Sequence, residues 1–576
     1  MLHVPSLRPH RVALAALLAQ AACSAAEAPT PAPTPKYATE FVAVDVEASA
    51  PAPLKLAVQA CVGLHNRKLG GSVYVRQAEQ DQPWLDELQL KPKATLKAAD
   101  FVAACVREFP TCVRYSYKDQ QALLPAILSA AAALEAVPLD TAQFTGAQSC
   151  AAPKFDAVVA LKDHNAPHLA AQQVFSLFGD KTTGLAMLNP GYDPNAKDQA
   201  KPGITRDMGP ELVDFVFARK LFVVFLVNGC RPPDPEAAVL SAIVNSGKWP
   251  TPLPVYGYNN SWNVGGYLYE AQTRCLDSRN MGAIPTETGN LSFFATRKPA
   301  ITEATRPKGN PLEKLTYDAA KTYVAFVVGD GDNVAYLLAA RRQWFKQRMA
   351  DCAQPGGTCP ALTWSLSPHI PHLAPDVMDW YYQSARVTGK DYFSLPPSGH
   401  LYAYPASMGA KDQERFATAT AADARVLGVH GTVHWEWFDS WKTAEDTFLP
   451  RYARAGGAVR GVFPVNVPYM VPMFDWWPEQ QFFKVLTGAD GGKTVVFRPR
   501  SWRGIDGSDD QFFPTPQTMA KQLAEHPKGT VTWVYMTSDG GLTLQNSFVE
   551  MAKLLPAHVQ LVSADAAIEL ALAAGK

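Results

Sequence analysis

The second half of the chain alternates short apolar runs with segments of helical period, and that rhythm constrains the fold more than any other feature. Eight runs of apolar, β-branched or aromatic character lie at Tyr323–Val328, Ala361–Leu366, Tyr392–Leu395, Arg425–Val429, Val459–Val465, Thr494–Phe497, Val531–Met536 and Val559–Val562. Segments of helical character separate most of them. Asn333–Met349 is one, with Leu337, Leu338 and Trp344 apolar and Arg341, Arg342 and Lys346 polar; Ala374–Thr388 and Thr515–Glu525 are others. A helix between two strands carries the chain back to where it started, so successive strands lie parallel. Eight such units in roughly 250 residues have the length of a (β/α)8 barrel. The spacing is uneven and the third and eighth runs are weak, which makes a distorted or seven-stranded barrel the alternative.

The region from Tyr37 to Pro299 is also α/β but less regular. Ser72–Val75, Asp156–Leu161, Leu221–Val227 and Pro254–Tyr258 read as strands, and Ala122–Glu135 and Gly209–Arg219 as helices. This describes a Rossmann-like or flavodoxin-like layered domain over residues 39–305, followed by the barrel-like domain over 306–576. No glycine fingerprint supports a nucleotide there, and no cofactor is expected.

Residues 1–22 read as a signal peptide, with Arg8 and Arg11 before the apolar Val12–Ala19, a stretch too short to span a bilayer. Cys23 permits lipidation after cleavage; an Ala-x-Ala site nearby is the other route. Residues 23–38 form a Pro/Thr-rich tether. The expected location is therefore outside the cytoplasm: periplasm or cell surface, lipid-anchored through Cys23, or secreted. Lys+Arg and Asp+Glu both total 53, and this balance argues against a general polyanion binder, whose phosphate contacts need clustered Lys and Arg. Apart from Cys23, eight cysteines remain, an even set that permits disulfides in an exported chain. Cys352 with Cys359, and Cys105 with Cys112, have spacings that could close small loops. No Cys-x-x-Cys occurs, so a zinc ribbon is not indicated.

In a parallel barrel the site lies at the C-terminal strand ends. Here those ends are polar and aromatic. The first runs into Gly329-Asp330-Gly331-Asp332-Asn333, the second to Ser365, Ser367 and His369, and the third to Ser398, His400, Tyr402 and Tyr404. The fourth is followed by His430 and by His434-Trp435-Glu436-Trp437-Phe438-Asp439, the fifth by Asn466 and Tyr469, the sixth by Arg498, Arg500 and Trp502, and the seventh by Asp539. Glycoside cleavage needs two carboxyl groups across the bond, one giving a proton to the leaving oxygen and one attacking or activating water. Asp330, Asp332, Glu436 and Asp539 are the candidates, Glu436 between two tryptophans being suited to a general acid. Asn333, His400, Tyr402, Tyr404, Trp435, Asn466 and Arg498 are the candidate sugar contacts, since a ring face covers sugar C–H groups while polar tips bond hydroxyls. The bland reading of Asp332 or Asn333 is a helix N-cap. His369 and His372 with Asp330 or Asp332 would suit a metal-dependent polysaccharide deacetylase; the leading reading assigns no metal ligand.

Gly399-His400-Leu401-Tyr402-Ala403-Tyr404-Pro405 resembles the signature of the GxGYxYP putative glycoside hydrolase family, with Leu401 at its second glycine. Val327–Asn333 is similar to the family's aspartate-rich block, as are Ser365–Pro368, Ala374-Pro375 and Trp380–Tyr382 to the segment before the signature. Gly63–Arg67, Trp84-Leu85 and Asn290–Ser292 look like its N-terminal domain. The resemblance implies an exported bacterial enzyme acting on a poly- or oligosaccharide, with an α/β domain before a barrel. A non-catalytic carbohydrate-binding lipoprotein is the alternative. No protein partner is expected.

Overall fold

The first half is built from short parallel strands. β1 (Val42–Asp45) pairs with β2 (Val73–Arg76) and β3 (Ala94–Lys97); β4 (Cys112–Tyr115) pairs with β5 (Val137–Asp140) and β6 (Phe155–Asp156). β7 (Gly184–Met187), β8 (Leu221–Val224), β9 (Leu253–Tyr256) and β10 (Met281–Ile284) form a sheet ordered β10-β9-β7-β8, again parallel. This computed structural model describes residues 37–576 apart from 165, 189–210, 227–234, 259–267, 438, 468–473, 500, 503–514, 537–541 and 576. The leader, Cys23 and most of the tether lie outside the described residues, as does Asp539.

Strands of four residues make few ladder bonds, and side chains complete the ladder. Asn290 accepts from Val75 N at 2.7 Å and donates to Val75 O at 2.8 Å, taking the place of a neighbouring strand's backbone. Asn66 does the same for Val73, accepting from its N and donating to its O at 2.9 Å each, and also donates to Ser292 Oγ. The helix Ala52–Leu69 lies so close to Val213–Arg219 that a Cβ on Gly63 would come within 2.2 Å of Asp214 O, so only glycine fits. Disulfides Cys61–Cys105 and Cys112–Cys150 tie these layers, and Cys275 is also disulfide-bonded. Cys352–Cys359 closes the small loop its spacing suggests, whereas the Cys105–Cys112 loop does not form. Asp156–Leu161, expected as a strand, is two strand residues followed by a helical turn, Ala157–Ala160.

In the second half, β11 (Thr322–Val328), β12 (Leu362–Ser365) and β13 (Asp391–Ser394) run parallel in sequence order. β14 (Gly431–Trp437) and β15 (Gly461–Val467) pair along their full length; β16 (Phe483–Thr487) lies antiparallel to β17 (Lys493–Phe497). β18 (Ser501–Trp502) pairs with β19 (Val531–Met536), and β20 (Val559–Val562) with β11. This is a mostly parallel α/β architecture, but among the described residues the strands do not close into a barrel. A single bridge, Leu395 to Thr432, joins β13 to β14. At the far edge, antiparallel β16 occupies the side of β17 on which a closing parallel strand would lie.

The eighth run also departs from the expected barrel. β19 covers one edge of β11 from Tyr323 to Val328, so β20, at Thr322–Ala325, and β12, at Val327–Val328, share the other edge. The helix that follows, Ala564–Ala574, turns inward. Its Ala566, Ala567 and Ile568 join Ala325, Val433, Phe463, Val495 and Trp533 in one buried apolar layer. A Cβ on Gly461 would stand 2.3 Å from Ile568, so the bare first residue of β15 makes room for this helix. The run of small residues in Ala564–Ala574 lets it fit where a bulkier helix could not.

Three local expectations change. Arg425–Val429 is not a strand: its first three residues finish the helix Ala410–Leu427, Gly428 ends it at φ +69°, and the strand starts at Gly431. The helix expected over Asn333–Met349 breaks at Ala339 into Val334–Leu338 and Ala340–Ala353. Trp84 from the first half donates its indole N–H to Leu338 O at that break. Arg341 and Arg342 are buried rather than on a polar face. No helix among the described residues is long and apolar enough to cross a membrane.

Candidate functional site

The loop after β11 is held from three sides. Gly331 N donates to Ser365 Oγ, which donates in turn to Val328 O, both at 2.9 Å, so the ends of β11 and β12 are stitched through one hydroxyl. Buried Arg341 donates to Gly329 O and to Ser365 O, with its guanidinium over Trp364. A Cβ on Gly329 would lie 2.0 Å from the Tyr535 hydroxyl, and one on Gly331 would lie 1.8 Å from Ser365 O. The two glycines thus let the chain pass through a gap with no room for side chains, and Asp330 between them sits at φ +58°. A strained, tightly supported acidic residue of this kind occurs at functional sites. Burial raises the Asp332 carboxyl well above the usual carboxylate range; Asp330 and Glu287 push it further up, and Arg341 opposes them.

The signature loop after β13 is templated by the first half of the chain. Tyr402 and Ala283 of β10 exchange both backbone bonds, at 2.9 and 3.1 Å. Leu401 is buried against Gly282, where a Cβ would lie 2.6 Å from that of Leu401. Gly399 takes the positive φ of the segment, +92°, while Leu401 does not, so the side chain at the family's second glycine carries no backbone strain. Tyr402, half-buried, meets Tyr258 at 5.5 Å and Trp435 at 5.6 Å between ring centroids. Two buried carboxyls grip the rest of the loop. Asp277 accepts from Tyr404 N at 3.2 Å, and Glu436 accepts from Ala406 N at 3.0 Å. The β10 exit reaches the aspartate loop as well, since Val334 N donates to Pro285 O at 2.9 Å. One N-terminal strand end therefore borders both motif loops.

Residues 320–469 match the GxGYxYP putative glycoside hydrolase C-terminal domain. The matched span contains both motif loops; it does not extend to the first half of the chain. The whole fold is similar to a crystal structure described as a putative hydrolase from Bacteroides thetaiotaomicron VPI-5482, with a TM-score of 0.69 and 15% identity, covering 93% of this chain and 95% of that one. No curated protein matches the chain.

The expected residues separate into groups. Asp330 and Asp332 lie on one motif loop and Tyr402 on the other, where Trp435 of β14 meets it. Asn333 caps the helix Val334–Leu338, accepting from Tyr336 N at 3.2 Å. His400 turns away to Asp423, at 2.7 Å, and its carbonyl oxygen receives His369 Nε2 at 2.6 Å. With that nitrogen engaged, and with no group of three His, Cys, Asp or Glu arranged to hold a metal among the described residues, the His369–His372 site of a deacetylase does not fit. Tyr404 is fully buried beside Trp437. Arg498 holds the turn that precedes β16 through the carbonyl oxygens of Gln481, Trp477 and Pro478. Asn466 lies on β15, but its side chain is outside the described residues.

Glu436 needs the plainest correction. Because the strand begins at Gly431, His434-Trp435-Glu436-Trp437 lies on β14 itself, and alternate side chains face opposite ways. Val433 and Trp435 face the inner apolar layer; His434 and Glu436 face the helix layer, His434 stacking on Phe448. Glu436 is wholly unexposed and accepts from His434 Nε2 at 3.0 Å. Burial raises its carboxyl well above the usual range, and it raises that of neighbouring Asp277. This is a carboxyl that positions the loop from behind rather than one that reaches a sugar. Asp277 and Glu287 were not foreseen. The sequence signal for Glu287 is the apolar run Met281–Ile284 followed by Pro-Thr-Glu, a polar strand exit in the first half of the chain.

Proposed function

We propose that this protein is an exported glycoside hydrolase acting on a poly- or oligosaccharide. The observation that carries the reading is the Gly329–Asp332 loop, a strained turn locked by Ser365, Tyr535 and Arg341 that holds two acidic residues and is linked through the β10 exit to the loop of Tyr402. Asp332 keeps its proton to higher pH than an ordinary carboxyl, which suits the group that protonates a leaving glycosidic oxygen. Tyr402, flanked by Tyr258 and Trp435, supplies the aromatic surface for a sugar ring. The match of residues 320–469 and the fold of the bacterial structure support a hydrolase-like activity. Export is supported by the leader sequence and by the disulfides, which persist in oxidising compartments. Lipidation at Cys23 with the Pro/Thr tether would hold the enzyme near a membrane surface.

The test is a screen of the purified protein against soluble plant and bacterial glycans with reducing-end detection. Turnover should appear on at least one glycan, and Asp332→Asn should lower it by about 100-fold or more, the scale of acid–base catalysis. Unchanged turnover in Asp332→Asn would refute the site. Tight glycan retention with no turnover across the panel would make the protein a carbohydrate-binding lipoprotein instead.

A further inference from the structure

A carboxyl pair that cleaves a glycosidic bond must approach it from two sides. Asp330 and Asp332 share one tight loop, two residues apart, and so lie on one side. Asp277 and Glu436 are fully buried and bonded to the signature loop's backbone. The exit of β10 belongs to a different strand and borders the aspartate loop through the Pro285–Val334 bond, and it carries Glu287.

We propose that Glu287, from the N-terminal half, is a catalytic residue: the second carboxylate of the pair whose first member is Asp332. This inference rests on the glycoside hydrolase reading above. Its backbone setting is rigid on both sides. Pro285 O accepts from Val334 N at 2.9 Å, and Thr286 Oγ accepts from Gly257 N and donates to Ile284 O at 2.9 Å each. Thr288 N donates to Thr286 O at 2.7 Å, and Thr288 O accepts from Leu212 N at 2.8 Å. Glu287 itself stays half-buried, between neighbours that are buried. It is close enough to Asp332 that its charge helps hold the proton there, which is how two carboxyls in one site take opposite roles.

The step balances without an added reagent. Asp332 gives its proton to the leaving oxygen as the bond from that oxygen to the anomeric carbon breaks. A water oxygen bonds to the anomeric carbon and passes a proton to the Glu287 carboxylate. Glu287 then releases that proton to solvent and Asp332 takes one up, so one water is consumed per bond.

The experiment uses the full chain with Glu287→Gln and Asp332→Asn, assayed on 4-nitrophenyl glycosides and on the glycan panel, with pH–rate profiles and thermal midpoints. Glu287→Gln should lower kcat by about 100-fold or more and erase the acidic limb of the profile, while Asp332→Asn erases the alkaline limb. Both thermal midpoints should stay near that of the wild type. If Glu287→Gln keeps activity within about three-fold while Asp332→Asn is inactive, this proposal fails and the hydrolase reading stands. If Glu287→Gln is inactive only because its midpoint collapses, or if its pH limbs do not move, the residue is structural and the proposal also fails. If both variants match the wild type, or the wild type turns over nothing, the hydrolase reading fails and takes this inference with it.

Discussion

In the first half no strand among the described residues exceeds four residues, and at β2 side-chain amides stand where a neighbouring strand's backbone would be. In the second half β11, β14 and β15 each run seven residues and bury a continuous aromatic and β-branched layer. Both halves follow the same parallel β-α pattern, yet different residues carry it. Asn66, Trp84 and Asn290 of the first half are bonded to backbone and act as framework. Asp330, Asp332 and Tyr402 stand at strand ends that the framework already supports.

The comparison can be broken most directly at Asn290. Replacing it by Ala leaves the N–H and C=O of Val75 buried without their partner, at about 1–3 kcal/mol for each group. A urea unfolding series should therefore show a loss of about 2–6 kcal/mol. A loss under about 1 kcal/mol would mean that the short sheets do not depend on these amides.

Leu401→Gly restores the residue that the family signature has at this position. It should nevertheless destabilise by roughly 2–4 kcal/mol, because Leu401 is buried against Gly282 and glycine leaves a cavity there. Unchanged stability would mean that the loop needs the glycine's backbone freedom after all.

The third difference is in pH response. Buried Glu436 and Asp277 have raised carboxyls, so the folded state prefers their acid forms. Their stabilisation is complete below the ordinary carboxylate range and is lost as pH rises toward the raised values. Glu436→Gln should flatten the fall in thermal midpoint on the alkaline side, each pH unit removed being worth about 1.4 kcal/mol. His372 behaves in the opposite sense. Burial lowers it to about 4, so stability present above its ordinary value near 6.5 is lost as pH falls toward 4. His372→Asn should flatten the acidic side. A profile unmoved by either substitution would remove the buried-charge account of this interface.

The smallest effect on stability should come from Asp332→Asn, within about 1 kcal/mol of wild type, since an amide replaces a carboxyl that already resists ionisation. A large loss would make Asp332 a framework residue like Asn290.

Much of this was legible in the chain. The alternation of runs and helices marks the parallel α/β class, and the Gly-Asp-Gly-Asp exit and the tyrosine signature mark two loops that the fold brings to one border. What was not legible had physical causes. Arg425–Val429 looks like a strand because its composition is apolar, but its first three residues are the last turn of a helix, and the positive φ of Gly428 that ends it leaves little trace in composition. That shift moved Glu436 from a loop onto a strand. Its period-two neighbours, Val433 and Trp435, would have assigned it to the opposite face. Arg341 reads as solvated at helical spacing, yet it is buried because two strand-end carbonyl oxygens need a donor. Pairing between distant segments, such as Ala283 with Tyr402, has no local signature at all.

The inward-turned helix Ala564–Ala574 has a consequence for the order of assembly. β20 is wedged beside the first residues of β11, and the helix after it rests on the bare Gly461. β11 therefore completes its edge only with a strand more than two hundred positions further along the chain, and until then its neighbours face an unfilled floor. Contacts between residues more than two hundred positions apart form slowly. Without β20 and the helix Ala564–Ala574 the motif loops would thus stand over an unfilled core with exposed strand edges.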